Sequence, residues 1–410
     1  MKKNKNRFVL GFILGMLAMV VVVASIGAGI YFSQKDSGQK KISESTEKKI
    51  SESTEKKISE STEKKIDSLE KIIEAYYLDE VDETKLEDGV YKGLLSGLED
   101  PYSVYYTAEE YKALMEDTSG KYYGIGALVS QSADTGVITA IKVFEDAPAD
   151  QAGMENGDII YKVEGAEVTG EDLNNVVSKM KGDKGTEVNI TVYRSSQKKY
   201  IDLKIIRDEV NVPTISYKML DKKQKIGYIQ ITQFEEVTYE QFTEAINALK
   251  KQGMKAVIFD VRDNPGGLYN IVCKMLDDLL PEGTIVYTKD KYDKEEKQTS
   301  DADCLDIPMV VLQNENSASA SEIFAGAIQD FKAGTIVGTQ SFGKGIVQTI
   351  LSLNDGSAVK LTIEKYYTPS GKNIHGTGIT PDVKVEADAQ AKDDVQLLKA
   401  QETIKELMKK

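Results

Sequence analysis

The chain has 410 residues, 40% hydrophobic and 29% charged, an ordinary globular balance with room for two or three domains. Its net charge of -14 argues against a nucleic-acid partner, because phosphate binding needs a basic face. One histidine, His375, and two cysteines, Cys273 and Cys304, cannot build a zinc site, and neither metal nor cofactor is expected.

The amino terminus starts with MKKNKNR and runs into FVLGFILGMLAMVVVVASIGAGIYF, residues 8–32, without a charge. Roughly 20 apolar residues cross a bilayer, so a single transmembrane helix is expected. It exceeds the roughly 7–15 apolar residues of a cleaved signal peptide, which favours a retained anchor. The basic residues 1–7 then stay in the cytoplasm and everything after residue 33 lies on the extracytoplasmic side of the cell membrane. KKISESTE follows three times, from Lys40 to Glu63. An eight-residue period makes no heptad seam, so residues 33–65 read as a solvated spacer.

From Ile66 the spacing of Leu69, Ile72, Ile73 and Tyr76 predicts an amphipathic helix, the first of a helical region over 66–118. Within it, Thr107 and Glu110 make a capping box ahead of a second helical segment. Residues 119–208 hold short strands (YYGIGALVS, GVITAIKVF, DIIYKVEGAEV, TEVNITVYR, KKYIDLKII) and one helix, a small mixed β/α domain. Over 209–385, apolar strands alternate with helices, which predicts an α/β layer with buried strands. A hairpin at Asn354-Asp355-Gly356 interrupts this pattern, and residues 386–410 end in an amphipathic helix. Cys273 falls in a helix, where a buried free thiol is expected; whether it pairs with Cys304 stays open.

Chemistry gathers at NENSASASEIF, residues 314–324, directly after the apolar run IPMVVL. Ser319 and Glu322 fit the capping box S-x-x-E, which alone makes Ser319 a helix cap. The same strand-to-helix junction suits a nucleophile, since unpaired N–H groups there can stabilise an oxyanion. A base is harder to find. His375 sits among glycines and turn residues and reads as a loop histidine. Lys344, between two glycines in SFGKGIV, can pack tightly, but a base near neutral pH needs its pKa lowered from about 10.4 to roughly 7–8.

Taken together, NSASASEIFAGAIQD, GTQSFGKGIVQ, FDVRDNPGG and IHGTGITPDV resemble the carboxy-terminal processing peptidases, or tail-specific proteases. The resemblance runs from about Leu69 to the end of the chain. It implies an α/β, crotonase-like protease core with an inserted PDZ domain. By this resemblance Ser319 is the nucleophile, Lys344 the general base and Gln348 the residue that orients the lysine amine. The oxyanion hole would use the N–H of Ala320 and of Gly266 or Gly267, the choice staying open. The same resemblance makes Tyr123, Gly124, Ile125 and Gly126 the loop that holds a peptide carboxylate, with the peptide added as an extra strand. Many relatives have an arginine where this chain has Lys181, which puts any role of a forked guanidinium in doubt.

The implied activity is hydrolysis of protein or peptide substrates held by their C-terminal tails, with the membrane met through the amino-terminal helix. A homodimer is possible through the helices at both ends of the soluble part. Two other classes compete: a catalytically silent PDZ scaffold, and an acyl-CoA enzyme on a crotonase-like core.

Overall fold

The computed structural model describes residues 59–388 and 390–409. The expected membrane anchor over 8–32 lies outside them, and among the described residues no helix is long and apolar enough to cross a membrane. The chain forms two compact units, one ending at Tyr111 and completed by Gln348–Thr362, the other made of Lys112–Val347 and Ile363–Lys410.

In the first unit, helix α1 (Glu60–Tyr76) begins inside the third repeat, ahead of the start expected at Ile66. The polar repeat supplies its own cap: the Ser59 hydroxyl accepts the Thr62 N–H at 3.3 Å, and Glu60 and Glu63 complement the helix dipole. Lys64–Glu60 and Lys71–Asp67 pairs, each four residues apart, line its exposed side. Helix α2 (Glu83–Ser96) follows, then strand β1 (Val104–Tyr106). The Thr107–Glu110 box closes both ways, Thr107 N–H to Glu110 at 2.9 Å and Glu110 N–H to Thr107 at 3.2 Å, and starts α3 (Ala108–Ser119). The tip of the hairpin completes this unit. Its residues 358–360 pair antiparallel with β1, and the Thr362 N–H donates to Ser103 Oγ at 3.0 Å.

The second unit begins with the small β/α domain: β2 (Lys121–Gly124), β3 (Ala127–Gln131), β4 (Ile138–Val143), α4 (Pro148–Gln151), β5 (Ile159–Val163), β6 (Ala166–Glu167), α5 (Leu173–Met180), β7 (Glu187–Arg194), β8 (Lys199–Ile206) and β9 (Asp208–Asn211). Its main sheet is antiparallel in the order β3-β4-β5-β7-β8, with β6 on β5. Alternation decides which face is inside: Val188, Ile190 and Val192 of β7 are buried, whereas Glu187 and Asn189 are exposed. Helix α5, capped by Asp172, packs Val176 and Met180 into the same core.

Strands β2 and β9 pair where the chain enters and leaves this domain, and the Val212 N–H donates to Gly120 O at 2.8 Å. Under this junction lies Glu235, only 6% exposed, with one carboxyl oxygen that has no hydrogen-bond partner among the described residues. A Cβ on Gly120 would collide with that carboxyl. Burial, and then Asp117, raise its pKa from 4.5 to about 7. Below pH 4.5 the group is neutral in folded and unfolded chains alike. As pH rises through 4.5 to 7 the unfolded chain ionises first, so the fold loses stability, by up to about 3 kcal/mol. Glu235→Gln is therefore expected to raise Tm over the parent at pH 8 and to give no such gain at pH 4. Equal melting curves at pH 8 would rule this out.

The α/β layer follows: β10 (Ile215–Asp221), β11 (Ile226–Ile231), α6 (Thr238–Lys251), β12 (Ala256–Asp260), α7 (Tyr269–Asp277), β13 (Gly283–Asp290), β14 (Glu295–Ser300), β15 (Met309–Gln313), α8 (Ala320–Asp330), β16 (Gly334–Gly338), β17 (Ile346–Ser352), β18 (Ala358–Tyr367), β19 (Val383–Lys384) and α9 (Val395–Leu407), with residues 348–362 of β17 and β18 counted in the first unit. The sheet order is β10-β11-β12-β15-β16-β19, parallel except for the β10–β11 pair. Helices α6, α7 and α8 cover one face and α9 the other, so every residue of β12 and β15 is buried. Strands β13 and β14 pair with each other, and β13 also pairs with residues 364–367 of β18. Cys273 is buried in α7, its thiol pushed up to about 12 by burial, and Cys304 is exposed; both are free.

Candidate active site

Three neighbouring parallel strands end at one edge of the sheet, and each releases a loop there. After β12 comes Asn264-Pro265-Gly266-Gly267, after β15 the serine loop, and after β16 the loop that carries Lys344. The carboxyl ends of parallel strands are where open α/β sheets hold ligands.

The three serines separate by burial. Ser317 is 1% exposed and donates to Val261 O at 2.8 Å; Ser321 is 0% exposed and donates to Asn264 O at 2.9 Å. Both are structural. Ser319 is half-buried at the start of α8, with φ 54, a left-handed backbone that a serine adopts only under constraint.

Part of that constraint comes from the turn after β12. Asn264 is wholly buried; its Nδ2 donates to Ile231 O at 2.9 Å and its carbonyl accepts the Ala318 N–H at 3.0 Å. Gly266 presses against the serine: a Cβ there would stand 2.7 Å from Ala318 O and 2.9 Å from Ser319 Cβ. Its N–H is donated to Asn264 Oδ1 at 2.8 Å, whereas Gly267 is exposed. Asp263 ties the same turn to the serine loop by accepting from Asn314 and Asn316, each at 2.8 Å; these bonds hold its carboxyl below the usual range.

The remainder comes from Glu322, 0% exposed. Its Oε2 accepts the N–H of Ser319 and of Lys344, each at 2.8 Å. Its Oε1 accepts the Gly343 N–H at 2.7 Å and the Ser341 hydroxyl at 2.6 Å. The two backbone nitrogens on Oε2 therefore lie no further apart than twice 2.8 Å. Sequence reasoning saw Glu322 only as a cap. Tyr366, 1% exposed, was not seen at all; it donates to Ser319 O at 3.2 Å, and burial, then the Glu322 charge, keep its phenol protonated.

Lys344 is half-buried. The glycines on either side of it are there for the loop over 374–378: the Gly376 N–H donates to Gly343 O at 2.9 Å, and a Cβ on Gly345 would meet His375 N at 2.5 Å. IHGTG is thus the packing partner of FGKG, and the His375 side chain is exposed, the loop histidine expected. Gln348 lies on β17 in the first unit, where its Nε2 donates to Thr362 Oγ1 at 3.4 Å.

In the β/α domain, the carbonyls of the expected peptide loop turn inward. Tyr123 O accepts from Gly182, Ile125 O from Ala149 and Gly126 O from Phe144, at 3.3, 2.7 and 3.0 Å. Lys181 donates to Glu116 at 3.3 Å.

The model of peptidase family S41 matches residues 225–385, that of the PDZ domain 123–205, and that of the activating protease CtpB N-terminal domain 22–110. A probable CtpA-like serine protease of Staphylococcus aureus (strain COL) is 35% identical over 372 residues, 90% of this chain and 70% of the relative. The chain belongs to the CtpA-like serine proteases of peptidase family S41. Another such relative, from Staphylococcus haemolyticus, is 37% identical over 386 residues, 91% of this chain and 72% of its own. A crystal structure of a putative S41 protease from Bacteroides fragilis shares the fold, with TM-score 0.51 at 15% identity, over 77% of this chain and 90% of that one. An S41 serine peptidase with a PDZ domain, rather than a silent scaffold or an acyl-CoA enzyme, is what these likenesses support.

Proposed function

We propose that this S41 peptidase is a membrane-anchored, extracytoplasmic endopeptidase that takes protein C-terminal tails on its PDZ domain and cuts peptide bonds with a Ser319–Lys344 dyad. The Lys344 amine takes the Ser319 hydroxyl proton as Oγ attacks the peptide carbonyl carbon. The resulting oxyanion accepts from the N–H of Ala320 and Gly267. Gly267 suits this role better than Gly266, whose N–H is already given to Asn264. The lysine ammonium then protonates the leaving nitrogen, and the C–N bond breaks to leave an acyl-enzyme. Water, deprotonated by the same amine, releases the new carboxylate.

One carboxylate oxygen carries this reading, Glu322 Oε2, which takes the N–H of both dyad residues. The uncharged stretch over 8–32 supports the anchor, and the exposed Leu69, Ile72 and Tyr76 of α1 support pairing of two protomers. Membranes carrying the full chain are expected to release fragments from β-casein that membranes carrying the Ser319→Ala protein do not. Identical fragments by mass spectrometry would leave Ser319 without its role. Alkaline carbonate washing is expected to leave the chain in the membrane pellet.

A further inference from the structure

Arg262, Asp263 and Asn264 follow one another after β12, and each ties the turn to a different neighbour. Asn264 and Asp263 bind the serine loop. The Asn264 carbonyl accepts the Ala318 N–H at 3.0 Å, and Asp263 accepts from Asn314 and Asn316 while its own N–H donates to Asn314 at 2.9 Å. Arg262 reaches instead to the helix that closes the fold. Its Nε and Nη2 donate to Asp260 at 2.6 to 3.1 Å. Its Nη1 and Nη2 donate to the two carboxyl oxygens of Asp394 at 3.0 and 2.8 Å, and Nη1 also to Gln396 at 3.1 Å. Every N–H of the guanidinium is thereby used, in a planar fork that lysine cannot copy.

Asp260 is 1% exposed and takes a further bond from Tyr228 at 2.8 Å, a fixed anchor in the sheet. Asp394 is a different kind of partner. It is the N-cap of α9, where it accepts the Leu397 N–H at 3.0 Å. Helix α9 lies on one face of the sheet, and α8, which opens on Ser319, packs on the other. An exposed ion pair is worth little to stability, but a bidentate arginine–carboxylate pair also fixes geometry. The residue it fixes here is one peptide bond from Asp263 and the serine loop. We propose that Asp394 is a positioning residue of this peptidase: by clamping Arg262 it holds the turn after β12 in register with Ser319, so the C-terminal helix takes part in setting the active site. That role rests on the reading of Ser319 as nucleophile, with this turn lending an N–H to its oxyanion. Its loss should touch alignment in the transition state and not the affinity for substrate.

The test uses the full chain in detergent with β-casein. Asp394→Ser keeps a capping oxygen for Leu397 and removes the two bonds to Arg262. It is expected to lower kcat about tenfold with KM unchanged, a fraction of the roughly hundredfold that a misplacement on the order of 1 Å costs. Arg262→Lys, which keeps the charge but not the fork, is expected to do the same. Lys405→Gln removes the Lys405–Asp221 pair, 3.8 Å long, from the other end of α9 and is expected to keep parental kcat. Hydrogen exchange at the Ala318 amide is expected to quicken in Asp394→Ser and not in Lys405→Gln. Parental kcat in Asp394→Ser would overturn the proposal. An equal loss in Lys405→Gln would overturn it too, since any loosening of α9 would then matter. Should Asp394→Ser not fold, kcat of Arg262→Lys decides the same question. If Ser319→Ala cuts casein as the parent does, the nucleophile lies elsewhere and the positioning role falls with it; if only the Asp394→Ser effect is missing, the Ser319 reading stands.

Discussion

Lys344→Met is expected to lower kcat/KM on casein by at least about a thousandfold, the scale of a lost general base, in folded enzyme assayed well below its melting temperature. Methionine keeps the unbranched stem that fills the half-buried site and removes only the amine. The backbone of residue 344 is unaffected, because its contact to Glu322 is made by the N–H and not by the side chain. Ser319→Ala is expected to fall as far, and the double variant no further, since residues that act as one unit lose their function once. His375→Ala is expected to leave the rate as it was, its side chain being exposed. A Lys344→Met enzyme that kept parental turnover would remove the dyad, and a rate lost in His375→Ala would move the base to the histidine.

What the sequence disclosed of this site was the local part. Ser319, Lys344 and NPGG stand at strand ends that apolar runs announce, and β12 and β15 are legible because both their faces are covered. Glu322 was half legible. Its bond to Ser319 spans three residues and leaves the S-x-x-E signature, but its bonds to Ser341, Gly343 and Lys344 span 19 to 22 residues and follow from strand order alone. Tyr366 is 47 residues from Ser319, on a strand whose alternation gives no hint of which tyrosine faces the sheet edge. Strand β14, EEKQTS, has no apolar residue to announce it and exists through its pairing with β13. The start of α1 was missed for the opposite reason: a polar repeat looks like a spacer until its serine acts as a cap.

The second large effect concerns Glu322, where a capping role and a positioning role part company. A cap alone is worth about 1 kcal/mol of stability and nothing in turnover. Four donors converge on this carboxylate from two loops, two on each oxygen, all within 2.6 to 2.8 Å. Glutamine has one acceptor oxygen and one NH2, so whichever way it turns, its NH2 faces at least one backbone N–H. If the oxygen faces Ser341 and Gly343, the N–H groups of Ser319 and Lys344 lose their shared acceptor and the two loops drift apart. If it faces Ser319 and Lys344, the Gly343 N–H is left opposed. Either way a buried donor goes unpaired, at about 1–3 kcal/mol. A misplacement on the order of 1 Å between reacting groups costs about a hundredfold in rate. Glu322→Gln is therefore expected to lower Tm and to cut kcat about a hundredfold with KM little changed, measured well below its own melting temperature so that folded enzyme is what is assayed. Glu322→Asp, which keeps the charge but is one methylene short of the second loop, is expected to lose kcat as well. Parental kcat in both folded variants would reduce Glu322 to a cap and leave the approach of the serine loop to the lysine loop to backbone contacts such as the Phe342 N–H donated to Ser317 O at 3.0 Å.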